Sequence, residues 1–316
     1  MRRALLVGID AYPTGTLTGC ENDARKMKAV LSRNQDGSPN FDCQLVLGSN
    51  RGGVTRPSLR QAIRELLEHP ADVALLHFSG HGAATATDGF LVTQDAVADD
   101  EGVSMADVLN VANRSPASEI VVVLDCCYSG QFGAAGIVNK ANAILREGIS
   151  ILVASRADQP AVEVGGEGVF TSLLVDALEG GAADLLGHVT APGIYSFAEA
   201  ALGAWDQRPL FKAHVSKVLP LRHCRAPVPR ELLRELPTLF PLPAEDLSLD
   251  PSYEESSGKA DPAKAKIFGK LQQLNRVHLV VPVGATHMYH AAVESAKCKL
   301  TPTGLYYWRL ANAGRI

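Results

Sequence analysis

The chain lacks any apolar run near the ~18 residues that a membrane-crossing helix needs. Its first apolar stretch, in MRRALLVGIDAYP, is broken at Asp10, too short for the core of a signal peptide and without a small-residue cleavage site after it. Cysteine is sparse. The six residues, Cys20, Cys43, Cys126, Cys127, Cys224 and Cys298, form no CxxC pair and no regular spacing, which argues against a disulfide framework and against a structural zinc site. A phosphate-binding loop is also missing, because Gly130, Gly133 and Gly136 after DCCYS are loosely spaced and lack the Lys-Ser/Thr of a P-loop. These absences predict a cytoplasmic protein with reduced thiols and no membrane partner, and they weigh against a nucleotide-binding function.

What is present suits a packed globular chain: 316 residues, 46% hydrophobic and only 20% charged, enough for one large domain and a small one. The net charge of -4 hides an asymmetry. Residues 262–316 carry eight basic side chains against one acid, Glu294, so the rest of the chain is acidic.

Strand-length apolar runs recur as ALLVGI (4–9), CQLVLG (43–48), VALLHF (73–78), EIVVVLDC (119–126) and ISILVA (149–154). They are continuous rather than alternating, as in strands buried on both faces of a parallel sheet. Helical patterns lie between them in NDARKMKAVLSRN, SLRQAIRELLEH and SMADVLNVANRS, and two more follow in FTSLLVDALEGG and IYSFAEAALGAW. This alternation predicts an α/β fold with a mainly parallel sheet and helices on both faces. From about residue 221 proline, serine and acids dominate, so 221–261 reads as a linker or wrapping arm. Two short amphipathic helices and a terminal hairpin are then expected over 262–316, the outline of a small, basic, winged-helix-like module.

Functional residues of an open parallel sheet collect beyond the carboxyl ends of its strands. FSGHG and DCCYSG occupy such places after the third and fourth runs. There His81 and Cys127 can meet as an imidazole and a thiol, a pairing that generates a thiolate nucleophile with its acid and base. The flanking glycines suit backbone access: Gly82 admits a substrate carbonyl, and Gly80 lets the chain turn sharply. In such a site the Gly82 and Cys127 amides are the natural oxyanion donors. No third residue that would orient the imidazole is evident.

LLVGIDAY, LTGCENDARKM, LLHFSGHG, VVVLDCCYSG and SRADQPAVEVGGEGVFTSLL together resemble the caspase-like cysteine peptidases, most of all the metacaspases and their bacterial relatives. The likeness spans about residues 3–220 and implies the caspase-haemoglobinase fold, a peptidase domain over 1–220, and peptide-bond hydrolysis. The motif Q-A-C-[RQG]-G is absent, and DCCYSG carries Tyr128 where metacaspases have histidine. By this resemblance Cys127 is the nucleophile, Cys126 its buried neighbour, and His81 the acid and base of a Cys-His dyad. The resemblance further implies that Asp23, Ser79 and Asp125 hold a basic P1 side chain, so cleavage should follow Arg or Lys. On residue type alone, Asp23 or Asn22 would serve as well to cap the helix beginning there, whereas a carboxylate at an apolar strand end, such as Asp125, is costly without a cationic partner. No cofactor is needed for this chemistry. Several metacaspases bind calcium, and Asp95, Asp99, Asp100 and Glu101 in TQDAVADDEG offer suitable oxygen ligands, though a solvated acidic loop has the same composition. Processing after Lys140, Arg146 or the arginines of the 221–261 arm is compatible with a basic specificity. The basic segment 262–316 suits a regulatory protein partner or nucleic acid, in keeping with a bacterial defence effector. A catalytically idle scaffold that acts through this segment is the alternative, suggested by Tyr128.

Overall fold

In a computed structural model the chain is described at residues 1–13, 15–48, 53–85, 88–97, 100–126, 145–154, 167–202 and 209–316. It forms two compact units, Met1–Arg225 and Ala226–Ile316.

The first unit is built in chain order from β1 (Arg2–Gly8), α1 (Cys20–Leu31), β2 (Asp42–Leu47), α2 (Arg56–Leu67) and β3 (Val73–Gly80). A small antiparallel sheet of β4 (Gly82–Ala84), β5 (Gly89–Val97) and β6 (Asp100–Ser104) follows, then α3 (Met105–Arg114), β7 (Glu119–Cys126) and β8 (Ile149–Val153). The unit continues with α4 (Val169–Asp176), α5 (Ala191–Leu202) and β9 (Leu210–His214). The main sheet has the spatial order β9-β8-β7-β3-β1-β2 and is parallel except for β9, which runs antiparallel to β8. All five expected strands are present.

β3 and β7 are buried at every position, as their uninterrupted apolar runs require. Alternation splits their side chains between two cores. Ala74, Leu76, Phe78, Val122 and Leu124 pack with residues of α2 and α3, whereas Leu75, Val121 and Val123 pack with Met27 and Leu31 of α1 and Phe170 and Leu174 of α4. Each such side chain contributes about 1.5–3 kcal/mol. α1 can lie close to β1 because Gly8 has no side chain: a Cβ there would collide with the Cys20 carbonyl oxygen and lie 2.7 Å from Glu21 Cα.

In the second unit two expectations are corrected. The segment expected as a linker or wrapping arm, 221–261, carries structure of the second unit: Arg230–Arg234 and Leu236–Leu239 are helical, and Leu247–Ser248 pairs with Lys297–Leu300 in a three-stranded antiparallel sheet completed by Val280–Val283. The C-terminus is not a hairpin. Pro302–Asn312 is a helix, capped by the Thr301 hydroxyl and tied down by Trp308 Nε1, which donates to the Phe240 carbonyl at 2.9 Å. Proline at the first turn and a threonine cap outweigh the strand preference of the Tyr-Tyr-Trp run. The sheet strands alternate with helices, so the wing expected of a winged-helix outline has no terminal hairpin to form it. Counted whole, the unit has eleven basic and nine acidic side chains, and Lys264 and Lys270 are paired with Asp250 and Glu235. The strong basicity of 262–316 is thus offset within its own fold.

The Gly8→Ala substitution should lower stability by about 1–3 kcal/mol, the range for overpacking against backbone that cannot yield. Chemical denaturation measures this loss.

Candidate active site

The polar groups of the site arise where strand alternation runs on after the apolar residues stop. On the face covered by α1 and α4, β3 continues from Leu75 to His77 and Ser79, and β7 from Val123 to Asp125. The register places Gly8 beside Ser79 and Ser79 beside Asp125. One row across the carboxyl edge of three strands therefore holds a glycine, a hydroxyl and a carboxylate.

Asp23, on α1, faces this row and is only 1% exposed. It accepts a hydrogen bond from Ser79 Oγ at 2.9 Å and from the Gly168 amide at 3.2 and 3.3 Å to its two oxygens. It does not cap its own helix. That role falls to Asp10, whose carboxylate takes the Cys20 amide at 2.8 Å. Asp125 is 5% exposed, and its Oδ2 accepts from the Thr171 amide at 3.0 Å and the Thr171 hydroxyl at 2.7 Å. Both carboxylates thus rest on the N-terminal turn of α4, where free amides and the helix dipole favour negative charge. The partner expected for Asp125 is a cation; the donors that Thr171 brings to it are instead a neutral amide and a hydroxyl. A Cβ at Gly168 would collide with Asp125 Oδ2 and lie 2.8 Å from Asp23 Oδ2, so the two carboxylates bracket one point. Asp23, Ser79 and Asp125, expected to act together, are brought together.

His81 follows β3 directly. Its Nε2 lies 2.7 Å from the Gly15 carbonyl, which can only accept, so Nε2 carries a proton and Nδ1 is the unprotonated nitrogen of the neutral ring. Tyr12 packs against the imidazole with ring centroids 4.6 Å apart. Its hydroxyl receives the His81 amide at 3.0 Å and donates to the Val92 carbonyl at 3.2 Å. Burial holds the phenol well above its ordinary pKa, so it stays protonated for that second bond. Val92 N donates to the His81 carbonyl, so the Tyr12 hydroxyl stands where the return backbone bond of this antiparallel pair would run. Gly82 lies opposite Leu91 in the next register position, and its amide is consequently directed away from β5. Gly80 has a different role from the sharp turn expected of it. It ends β3 without a left-handed backbone, and a Cβ there would collide with the Tyr12 hydroxyl and lie 3.0 Å from the Phe78 ring.

Cys127 lies outside the described residues. Cys126 is buried in the core on the α2 and α3 side, the place expected of it. Cys43, Cys224 and Cys298 have their thiols pushed up by burial, Cys298 to about 12, so none of these three is a thiolate near neutral pH. No disulfide forms among the described residues, and none of their helices is long and apolar enough to cross a membrane.

Two of the four donors considered for calcium, Asp95 and Asp100, are engaged otherwise. Asp95 accepts from the Arg56 amide at 2.9 Å and from Thr93 Oγ1 at 2.6 Å, and Asp100 is paired with the Arg56 guanidinium. Asp99 is outside the described residues. No group of three or more metal-ligating side chains converges among the described residues, and the Arg56 guanidinium is already paired with Asp100. The described donors do not fit a calcium ion.

Residues 1–216 match the family model of the caspase domain. The chain belongs to the caspase family of cysteine peptidases. Its caspase domain is 26% identical over 167 residues to metacaspase-1A of Aspergillus terreus, covering 46% of this chain and 40% of that protein. It is 32% identical over 150 residues to metacaspase-5 of Trypanosoma cruzi, covering 40% of this chain and 32% of that protein. The matched region thus spans well under half the length of these relatives. Among solved structures, protein GSU0716 of Geobacter sulfurreducens aligns with a TM-score of 0.53 at 17% identity, over 71% of this chain and all of that one. Caspase-1 of Spodoptera frugiperda aligns at 0.51 and 12% identity, over 71% of this chain and 91% of that one. At such identities the likeness shows the fold, and it is the caspase fold expected of the sequence.

Sequence reasoning missed Tyr12, Gly15, His77, Gly168 and Thr171. A polar residue inside an apolar strand, as His77 is in VALLHFSG, is a signal that a buried partner must exist. Tyr12 and Gly15 gave none, because their contacts with His81 are closed by tertiary structure.

Tyr12→Phe leaves the His81 amide without its acceptor and should cost about 1–3 kcal/mol of stability, read by denaturant titration. Calcium titration should leave the thermal midpoint unchanged, and a saturable rise would show that the domain holds the ion after all.

Proposed function

We propose that this chain is a cysteine endopeptidase that cleaves after arginine or lysine, with Cys127 as nucleophile and His81 as its acid and base. The observation that carries the specificity is the convergence of two buried carboxylates, Asp23 and Asp125, with Ser79 around the side-chain-free Gly168. Two carboxylates at one point favour a guanidinium or an ammonium and repel an acidic side chain.

In the reaction, Cys127 gives its thiol proton to His81 Nδ1 and the sulfur attacks the scissile carbonyl carbon, giving a tetrahedral oxyanion. His81 protonates the leaving nitrogen as the C–N bond breaks, releasing the amine and leaving a thioester. A water then loses its proton to His81 and attacks the thioester, which releases the acid and restores the thiol. The Gly15 carbonyl on Nε2 supports Nδ1 as the nitrogen that exchanges these protons with sulfur and substrate. The outward direction of the Gly82 amide supports its role as an oxyanion donor beside the Cys127 amide.

For the second unit we favour a regulatory protein partner over nucleic acid, because the acids of 226–261 offset most of its positive charge. The bacterial defence role remains part of this proposal, tied to such a partner. Self-processing, if it occurs in the folded protein, should spare Arg146. Its guanidinium donates to the carbonyls of Ala112 at 3.2 Å, Glu147 at 2.7 Å and Ala117 at 2.6 Å, and so is withheld from any pocket.

A fluorogenic peptide panel should show hydrolysis at P1 Arg or Lys and not at P1 Asp, abolished in Cys127→Ala and reduced at least ~100-fold in His81→Ala. Preference for Asp would overturn the pocket, and full activity in Cys127→Ala would overturn the nucleophile. Intact-mass comparison with Cys127→Ala should reveal no cut after Arg146.

A further inference from the structure

His77 is fully buried in the middle of the sheet, between Leu6 of β1 and Val123 of β7 in register, and the mechanism above does not use it. Its Nε2 lies 3.2 Å from Thr171 Oγ1, and its Nδ1 has no hydrogen-bond partner among the described residues. The direction of each bond follows from the chemistry. The Thr171 hydroxyl donates its proton to Asp125 Oδ2 at 2.7 Å. Thr171 Oγ1 must then accept from the imidazole, which places the ring proton on Nε2. Burial pulls the imidazole down to about 3, so it is neutral at physiological pH and has only this one proton to give.

A neutral imidazole with an orphaned nitrogen is a poor choice for a core position that a leucine or phenylalanine would fill at lower cost. Its effect on stability therefore does not account for it, whereas its effect on Thr171 does. By occupying the acceptor side of the hydroxyl it removes the rotational choice of Thr171 and polarises the O–H toward the carboxylate. Asp125 is then fixed by an amide and an oriented hydroxyl, and turned to the point it shares with Asp23.

We infer that His77 is a positioning residue of the specificity pocket, acting through Thr171 to set the orientation of Asp125 toward a cationic P1 side chain. This rests on the arginine-lysine reading of the pocket. It assigns to a residue four positions before the proposed catalytic histidine a part in substrate choice rather than in proton transfer.

The test compares peptides identical except for P1 arginine or citrulline, its uncharged isostere, in the full-length protein. In His77→Phe the arginine-to-citrulline ratio of kcat/KM should fall about tenfold, the worth of one charge-assisted hydrogen bond. The loss should appear in KM for the arginine peptide, with kcat little changed. His77→Gln, whose amide can donate from the position of Nε2, should restore the ratio. Thr171→Val should lower it, and His77→Phe should add nothing in that background, because the effect passes through the hydroxyl. If His77→Phe fails to fold, His77→Gln against Thr171→Val decides: equal ratios in the two overturn the inference. An unchanged ratio in folded His77→Phe, or an equal fall for both peptides, also overturns it and leaves the histidine a packing residue. A wild type that does not distinguish arginine from citrulline overturns the basic pocket itself, and this inference with it.

Discussion

The seating of the first turn of α4 on two buried carboxylates is the contact on which the site depends. Asp23 and Asp125 come from a helix and a strand far apart in sequence, and each is too deeply buried to stay charged without donors. The Gly168 amide, the Thr171 amide and the Thr171 hydroxyl supply them. The absence of a side chain at Gly168 lets the turn approach closely enough to do so. The turn thus both satisfies the carboxylates and leaves the gap between them.

The histidine is held by different means. Its ring, its amide and its approach are set by Tyr12 and Gly15, on the segment that follows β1, while the pocket is set by α4. Two independent supports converge on neighbouring residues of one strand end, Ser79 and His81. The supports of Ser79 and of His81 are therefore separable by mutation, although only one position, Gly80, lies between them.

The fold was legible because continuous apolar runs and helical periodicity coincide with the elements that form: the run EIVVVLDC occupies β7 residue for residue. The grouping of Asp23, Ser79 and Asp125 was legible through family motifs. What supports these groups was not, since Tyr12, Gly15 and Thr171 act across 46 to 69 residues of sequence. The second unit was misread for a local reason. Proline and acid content made 226–261 look like a linker, yet its short helices and strand bury Leu232, Leu233, Leu236 and Phe240.

The bond from Gly168 to Asp23 joins residues 145 apart, and that distance has a consequence for how the protein is made. On the ribosome, His81 and the DCCYSG motif emerge well before residue 168. That stretch of chain is therefore made before the turn whose amide binds Asp23. Until that turn is made, the α4 amides and hydroxyl that offset the burial of Asp23 and Asp125 are not yet available, so these two carboxylates are among the last groups of the domain to find their partners.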